Sequence, residues 1–403
     1  YLKTNVFVRK NAMQKVNKIS LKKQIDLKNP MIMGAFYILN GLENKGYSAY
    51  IVGGFVRDLV CGSVNLSSDI DITTSAEPDE IKSVFKHTFD KGIKYGTVGV
   101  LVNNTAYDVT TFREEQNYLD NRHPESVAFT KILEKDLIRR DFTINALVLD
   151  KDFYVHDYVG GLIDIQNKQI KTIGLPEKRF KEDALRLIRL IYFQTKLGFS
   201  IENNTKNTLN NLSNLVKEIH PERITSEFTK VFLNGFFKDF INNLLETKMF
   251  DIIIKRRFTD NLLDGFTACL NIDEMLTFLY FQDTTLNECF IYTNKTKNLI
   301  KHTKKIVENR YLCQDKRVNL IRFQTETIVF ALKIAKYFYN ENYDLNEVLA
   351  DLKRYKKAEK YVQSKNIDYN KYFQNKSKAE YGELILMLIK KVADEGYSLN
   401  EIN

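Results

Sequence analysis

Residues 52–71, VGGFVRDLVCGSVNLSSDID, place a Gly-Gly turn, an arginine and two carboxylates within one short stretch. Asp69 and Asp71 alternate with Ile70 and Ile72. On a strand, residues two apart point to the same face. Two carboxylates side by side repel each other unless a cation lies between them. Mg²⁺ with phosphates as its remaining ligands suits such a pair. Gly53 and Gly54 let the backbone come close to a phosphate, and Arg57 can grip it. The same letters also fit a glycine turn ahead of a strand with two exposed aspartates, so the choice rests on the rest of the chain.

The chain has 403 residues, enough for two to four domains with sizeable cores. Hydrophobic residues make up 44% and charged residues 28%, an ordinary balance for a soluble protein. No apolar run approaches the roughly 18 residues of a membrane span. The first residues contain no secretory apolar core, and Met13 is a candidate start. Cys61, Cys269, Cys289 and Cys313 lie far apart with no C-x-x-C pair. They argue for neither zinc nor disulfides and fit a reducing cytoplasm. The net charge is +9 and unevenly spread. Residues 1–29 hold eight Lys or Arg against one Asp, and residues 295–322 hold nine against two acids. Two basic patches on a near-neutral body suggest a polyanion partner, although a solvated basic face would look the same.

Apolar spacing over 30–47 predicts an amphipathic helix closed by Gly46. A strand YSAYIVGG, a helix from Val56 to about Cys61 and a strand DIDITTS follow. Glu77-Pro78-Asp79-Glu80 opens the next helix. GTVGVLVN and TAYDVTTF alternate on either side of Asn103-Asn104 and predict a hairpin. After Val155 the strand signals fade, and helical periodicity dominates from Arg179 onward. The expected architecture is an α/β head with a mixed sheet, followed by all-α neck, body and tail domains. The expected boundaries are a basic extension over 1–29, the head over 30–165, the neck over 166–240, the body over 241–350 and the tail over 351–403.

Further motifs carry chemistry. Asp108, in the strand AYDVTTFR, offers a third carboxylate, or an aspartate bonded to backbone or to Arg113. Residues 113–127, REEQNYLDNRHPESV, form a polar surface loop between strand signals. In DLIRRDFTINAL, residues 136–147, Arg139, Arg140 and Asp141 set two guanidinium groups beside a carboxylate. Such a set can bind a triphosphate and a ribose hydroxyl together, with Asn145 adding an amide. A salt-bridge cluster at a helix start is the plainer alternative. HDYVGGLID, residues 156–164, suits a structural turn or hinge.

In RFKEDALRLIRLIYF, residues 179–193, Asp183, Arg186 and Arg189 are spaced to share one side of a helix. Cytosine and adenine both present an amino donor beside a ring-nitrogen acceptor. A carboxylate can accept from the amino group while a guanidinium donates to the ring nitrogen. Uracil and guanine present a carbonyl where the amino group would be. Each buried mismatch costs on the order of 1–3 kcal/mol. An Asp/Arg pair can therefore select C and A without a nucleic acid template.

These motifs, in this order, resemble the polymerase-β-type nucleotidyltransferases of class II, the tRNA nucleotidyltransferase/poly(A) polymerase family. The likeness runs over roughly 48–230. Gly-Gly-x-Val-Arg-Asp with Asp-x-Asp is similar to the family's first motif, and Arg-Arg-Asp-Phe-Thr-x-Asn-Ala matches without a substitution. Asp157, Gly160, Gly161 and Asp164 match a further segment. Glu182-Asp183-x-x-Arg186 matches the base-reading motif, and Glu222, Arg223, Ile224 and Glu227 match the last one. The segment Asp120-Asn121-Arg122-His123-Pro124-Glu125-Ser126-Val127 resembles the flexible loop of members that add the terminal A, with His123 where Arg is usual. Tyr192 stands where relatives often carry Arg.

The resemblance implies a CCA-adding enzyme that extends the tRNA 3′ end from CTP and ATP and holds the acceptor and T-arm side of tRNA. It implies Mg²⁺ at Asp69 and Asp71, with Asp108 as a third carboxylate. One metal would activate the primer hydroxyl and the other would clamp the triphosphate. It implies phosphate binding by Gly53, Gly54, Arg57, Arg139 and Arg140, and ribose contacts by Asp141 and Asn145. Base choice falls to Asp183 and Arg186 with Arg189 in support. The basic stretch 295–322 and the tail become the tRNA-holding surface. A poly(A) polymerase, an enzyme adding A only, and a non-catalytic tRNA-binding relative are the alternatives.

Overall fold

The computed structural model describes residues 17–22, 25–63, 69–118, 124–255, 257, 263–364 and 378–395. The chain divides into two compact units. One is Tyr1–Ile219 with Asn242–Ile252, and the other is His220–Ile241 with Ile253–Asn403.

The first unit is built on a sheet of eight strands. β1 is Asn17–Ser20 and the helix α1 is Pro30–Glu43. Asn29 starts α1 by accepting from the Met31 and Ile32 amides, and Pro30 supplies a preset φ at the first position. The buried face of α1, including Ile32, Ala35, Phe36 and Leu39, covers the sheet. The helix is pinned there by the Tyr107 hydroxyl, which donates to the Met31 carbonyl at 2.7 Å. The strand β2 (Ala49–Val52) runs straight into α2 (Gly54–Val60) through Gly53. Then come β3 (Asp71–Thr74), α3 (Pro78–Val84), β4 (Thr88–Asp90), β5 (Thr97–Val102) and β6 (Thr105–Thr111). Asn103 and Asn104, both at positive φ (48° and 63°), join β5 to β6. Positive φ at both central residues is the tight-hairpin geometry that asparagine tolerates.

β9 (Val148–Leu149) and β10 (Tyr154–Asp157) complete the sheet, in the order β1-β10-β9-β2-β3-β6-β5-β4. β3 and β6 are parallel and the other neighbours antiparallel, so the sheet is mixed as the alternating runs imply.

The polar segment after β6 departs from the expected loop. β7 (Arg113–Tyr118) and β8 (Pro124–Phe129) pair as an antiparallel ribbon, and the expected loop residues Asp120, Asn121, Arg122 and His123 lie outside the described residues. α4 (Leu133–Ile138) and a short turn Thr143–Asn145 follow. α4 and its neighbours bury Leu133, Leu137, Ala146 and Ile173 against Val52, Phe112 and Val148 of the sheet region.

Past β10 lie α5 (Gly161–Gln166), α6 (Pro176–Glu182), α7 (Leu185–Leu197) and α8 (Asn203–Leu212). A small parallel pair, β11 (Gln169–Ile170) with β12 (Ser200–Ile201), sits among them and was not evident from the fading strand pattern.

The second unit is helical. Phe228, Phe240, Phe266, Phe278 and Phe290 are fully buried in it, and burying each such side chain contributes roughly 2–3 kcal/mol. Val318, Tyr355, Ala358, Val362, Leu386, Ile389 and Val392 form a further cluster. Beside that cluster the buried guanidinium of Arg317 is paired with Glu347 and Asp351, both at 2.7 Å. Among the described residues no helix is long and apolar enough to cross a membrane.

Candidate active site

The sheet aligns one row of residues across five strands. Val52 of β2 is opposite Asp71 of β3, Asp71 beside Asp108 of β6, Asp108 opposite Gly99 of β5, and Gly99 opposite Phe89 of β4. Paired residues on neighbouring strands share a face. The parallel register therefore sets the Asp71 and Asp108 carboxylates side by side, although they are far apart in sequence.

Asp69 differs from expectation: β3 begins at Asp71, so Asp69 stands in the exposed segment just ahead of the strand. It still acts on Asp71 through charge. Asp71 reaches solvent on one side and is crowded by protein atoms on the other. That burial pushes its carboxyl above the usual carboxylate range. Asp108 and Asp69 push the same way, while Arg140 and Lys91 pull against them.

Gly53 lies beside Asp71. Its φ of 82° suits glycine, and a Cβ there would sit 3.7 Å from Asp71 Oδ2. Crowded, like-charged, oxygen-only donors beside a glycine cradle fit a hard divalent cation. Among the described residues no three His, Cys, Asp or Glu side chains already converge on one metal position. Asp108 is instead held by the Lys91 ammonium at 2.8 Å.

Arg57 differs more strongly. Expected to grip phosphate, it is only 2% exposed. Its Nε donates to Asp58 at 2.8 Å and its Nη1 to Asn145 Oδ1 at 2.8 Å. Gripping a phosphate would strip a buried guanidinium of both partners.

Asn145 passes the chain of bonds on, donating to Asp141 Oδ1 at 3.1 Å. Asp141 also accepts the Phe142 amide at 2.8 Å and two donors of Arg189 at 2.9 and 2.7 Å. Burial pushes the Asp141 carboxyl up, but Arg189, Asn145 and the Phe142 amide outweigh it and hold it at about 2. Asp58, Arg57, Asn145, Asp141 and Arg189 thus form one line from α2 to α7. The Phe193 ring packs under both guanidinium groups, at 5.1 and 5.2 Å.

The two motif arginines share one buried anchor. Asp136 accepts Arg139 Nε at 2.9 Å and Nη2 at 2.7 Å on one oxygen, and Arg140 Nη2 at 3.0 Å on the other. It also accepts the Thr73 hydroxyl and the Arg113 amide, both at 3.3 Å. Burial raises this carboxyl, and the two arginines more than reverse that, leaving it lowered. Arg140 has its Nε buried with no hydrogen-bond partner, and its charge is the largest pull lowering Asp71.

The base-reading set also departs from the single helix expected. Asp183 has extended backbone (φ −150°, ψ 104°) at the break between α6 and α7. Its carboxylate accepts the Leu185 amide at 3.0 Å. Arg186 sits in the first turn of α7, 6% exposed. It donates to Glu182 at 3.0 Å and to the carbonyls of Arg179 at 2.7 Å and Arg139 at 3.3 Å. Arg179 donates to the carbonyls of Arg139 and Arg140 and to Glu182. Asp183 and Arg186 therefore flank a helix break braced by Glu182.

Asp136, Arg179 and Lys91 carry this geometry without having been singled out by the motif reading. The i, i+3 and i, i+4 spacing of Asp136 to Arg139 and Arg140 was a legible signal. Lys91 had none. The turn at 157–161 is structural, as the sequence implies. Asp157 accepts the amides of Val159, Gly160, Gly161 and Leu162, and Asp164 accepts the Thr143 hydroxyl at 2.6 Å. In the second unit Glu227 is buried and pairs with Lys230 at 2.7 Å within the helix Pro221–Asn234.

Residues 49–171 match the poly A polymerase head domain, and residues 198–258 match the probable RNA- and SrmB-binding site of polymerase A. The CCA-adding enzyme of Lacticaseibacillus paracasei is 41% identical over 244 residues, 60% of this chain and 61% of that one. The chain spans 53% to 61% of the length of the curated relatives it matches. The Bacillus stearothermophilus CCA-adding enzyme in complex with CTP is 25% identical with a TM-score of 0.70, covering 91% of this chain and 94% of that one. The Thermotoga maritima CCA-adding enzyme complexed with tRNA is 19% identical with a TM-score of 0.67 over 96% of this chain and 97% of that one, a likeness of fold. With the ordered motifs, these likenesses make the chain similar to the poly A polymerase head domain over 49–171, and its mixed-sheet head and helical remainder have the fold of the CCA-adding enzymes of known structure.

Proposed function

We propose that this protein adds C, C and A to the tRNA 3′ end from CTP and ATP, without a nucleic acid template, releasing pyrophosphate. The observation that carries the reading is the Asp71–Asp108 register pair, joined to the braced break that holds Asp183 and Arg186 through Arg140, whose charge acts on Asp71 and whose carbonyl accepts from Arg179. The likeness to CCA-adding enzymes supports it.

Asp69, Asp71 and Asp108 would hold Mg²⁺, which when bound supplies Lewis-acid polarisation of phosphate and eases loss of the primer hydroxyl proton. Arg140, anchored by Asp136 and facing Asp71, binds the triphosphate. Arg139 is held by the same carboxylate and sets the carbonyl that Arg186 leans on. Gly53 and Gly54 keep the backbone low enough for a phosphate to approach. Asp141 and Asn145 contact ribose, and Arg57 and Arg189 hold that pair from either end. Arg57 thus acts as a positioning residue. Asp183 accepts the amino group of C or A, and Arg186 donates to the ring nitrogen. The basic stretch 295–322 and the helices beyond it hold tRNA. The four cysteines are free thiols, which fits a reducing cytoplasm.

The test uses tRNAs ending before the first C, after C and after CC. Each is incubated with each nucleoside triphosphate and Mg²⁺, and the 3′ ends are read by sequencing. Stepwise C, C and A addition is expected. Long A tails, addition of A alone, or no transfer would overturn the reading.

A further inference from the structure

Lys91 follows the edge strand β4 and has no part in the chemistry described so far. It lies just past the end of β4, two residues beyond Phe89. Phe89 closes the row that runs through Gly99 to Asp108 and Asp71. Gly99 contributes no side chain to that row. A Cβ there would lie 2.3 Å from the Phe89 ring, which fills the space instead. The edge of the sheet can thus deliver a long cationic side chain onto the aspartates. Lys91 Nζ lies 2.8 Å from Asp108 Oδ1 and within electrostatic reach of Asp69 and Asp71.

Three carboxylates here face two cationic side chains, Arg140 and Lys91. They differ in how they are held. Arg140 is tied to the buried carboxylate of Asp136. The Lys91 side chain is 56% exposed on a segment that continues into Gly92 at φ 86°, and its ion pair is with Asp108. An exposed ion pair of this kind is weak and easily exchanged. A divalent cation at Asp71 and Asp108 would need the same carboxylate oxygens.

We propose that Lys91 is a built-in counter-ion that occupies the cation position at Asp108, and that a divalent cation must displace it to bind. Lys91 then sets how tightly the site takes metal before nucleotide arrives. It holds the aspartates together without metal and leaves when the cation enters. This rests on the reading of Asp69, Asp71 and Asp108 as metal ligands.

The test is Mn²⁺ binding to the full-length protein without nucleotide, followed by electron paramagnetic resonance of free Mn²⁺. Lys91→Met keeps length and removes charge, and Lys91→Arg keeps charge. Lys91→Met is expected to bind Mn²⁺ about five- to tenfold tighter than the unmodified protein, and Lys91→Arg within about twofold of it. A second neutral variant, Lys91→Gln, is expected to follow Lys91→Met. Unchanged or weaker Mn²⁺ binding in both neutral variants overturns the proposal while leaving the metal reading intact. If the unmodified protein shows no Mn²⁺ binding that Asp71→Asn removes, the metal reading itself falls, and this proposal with it.

Discussion

Arg189 Nε and Nη2 both donate to Oδ2 of Asp141, at 2.9 and 2.7 Å, and so join α7 to the segment after α4. The other oxygen of Asp141 takes Asn145, which takes Arg57. The residues expected to touch ribose are thus fixed from two sides by arginines. Preorganisation of this kind lets a polar site meet its substrate without reordering.

Replacing Arg189 with Met tests that line through pH. Asp141 has its carboxyl depressed to about 2. A depressed carboxylate contributes stability that is fully present above its unfolded value near 4 and is lost as pH falls toward the folded value. Arg189→Met should therefore lower stability by about 2–3 kcal/mol at pH 7. The gap between the two proteins should shrink as pH falls from about 4 toward 2. Thermal melts across that range measure it. A gap independent of pH would mean that lost packing on Phe193, and not the carboxylate, carries the effect.

Asp136 should matter more than its absence from the motif reading suggests. It is fully buried and collects Arg139, Arg140, Thr73 and the Arg113 amide. Asp136→Asn keeps the shape and removes the charge that holds two guanidinium groups. Expected are a loss of about 3 kcal/mol in stability and a rise in KM for nucleotide larger than the fall in kcat. Steady-state kinetics with CTP on a tRNA ending before the first C separate the two. An unchanged KM would show that Arg140 is held well enough by other contacts.

How much of this was legible depends on whether the signal was local. The strand-turn-helix around Gly53, the Asn103-Asn104 hairpin and the Asp157 turn follow from short-range chemistry, and they stand where the sequence put them. The pairing of Asp71 with Asp108 depends on which strands become neighbours, and no local pattern carries that. A motif arginine beside glycines looks the same in sequence whether it faces phosphate or, as Arg57 does, folds back on Asp58. Asp183 was put on a helix because its spacing is helical. The break comes from its own side chain, which accepts the Leu185 amide and so ends α6 and starts α7. The ribbon β7–β8 was hidden by polar composition, since REEQNY over 113–118 shows no apolar alternation.

Gly161 offers a test of fold against site. A Cβ there would lie 2.3 Å from the Thr143 carbonyl oxygen, a backbone atom that cannot step aside cheaply. Thr143 opens the turn that ends at Asn145. Gly161→Ala should cost about 1–3 kcal/mol in stability. It should also lower activity at temperatures where the variant is still folded, because the turn carrying Asn145 is pushed. Circular dichroism melts and assays well below the melting temperature distinguish the effects.

The division of labour between chemistry and base choice gives the last expectation. Asp71 sits in the carboxylate pair, and Asp183 sits at the helix break beside Arg186. Asp71→Ala should abolish transfer of every nucleotide. Asp183→Ala should retain measurable transfer but lose discrimination against UTP and GTP. The loss of a carboxylate that accepts the amino group removes on the order of 1–3 kcal/mol of preference, about ten- to a hundredfold in relative kcat/KM. Competition assays with paired nucleotides on a tRNA ending before the first C measure that ratio directly. Because the Asp183 carboxylate also accepts the amide of Leu185, the first residue of α7, a merely structural role would lower all four nucleotides together and leave their ratios unchanged. Tight C and A selectivity surviving in a folded Asp183→Ala protein would move base choice elsewhere in the site.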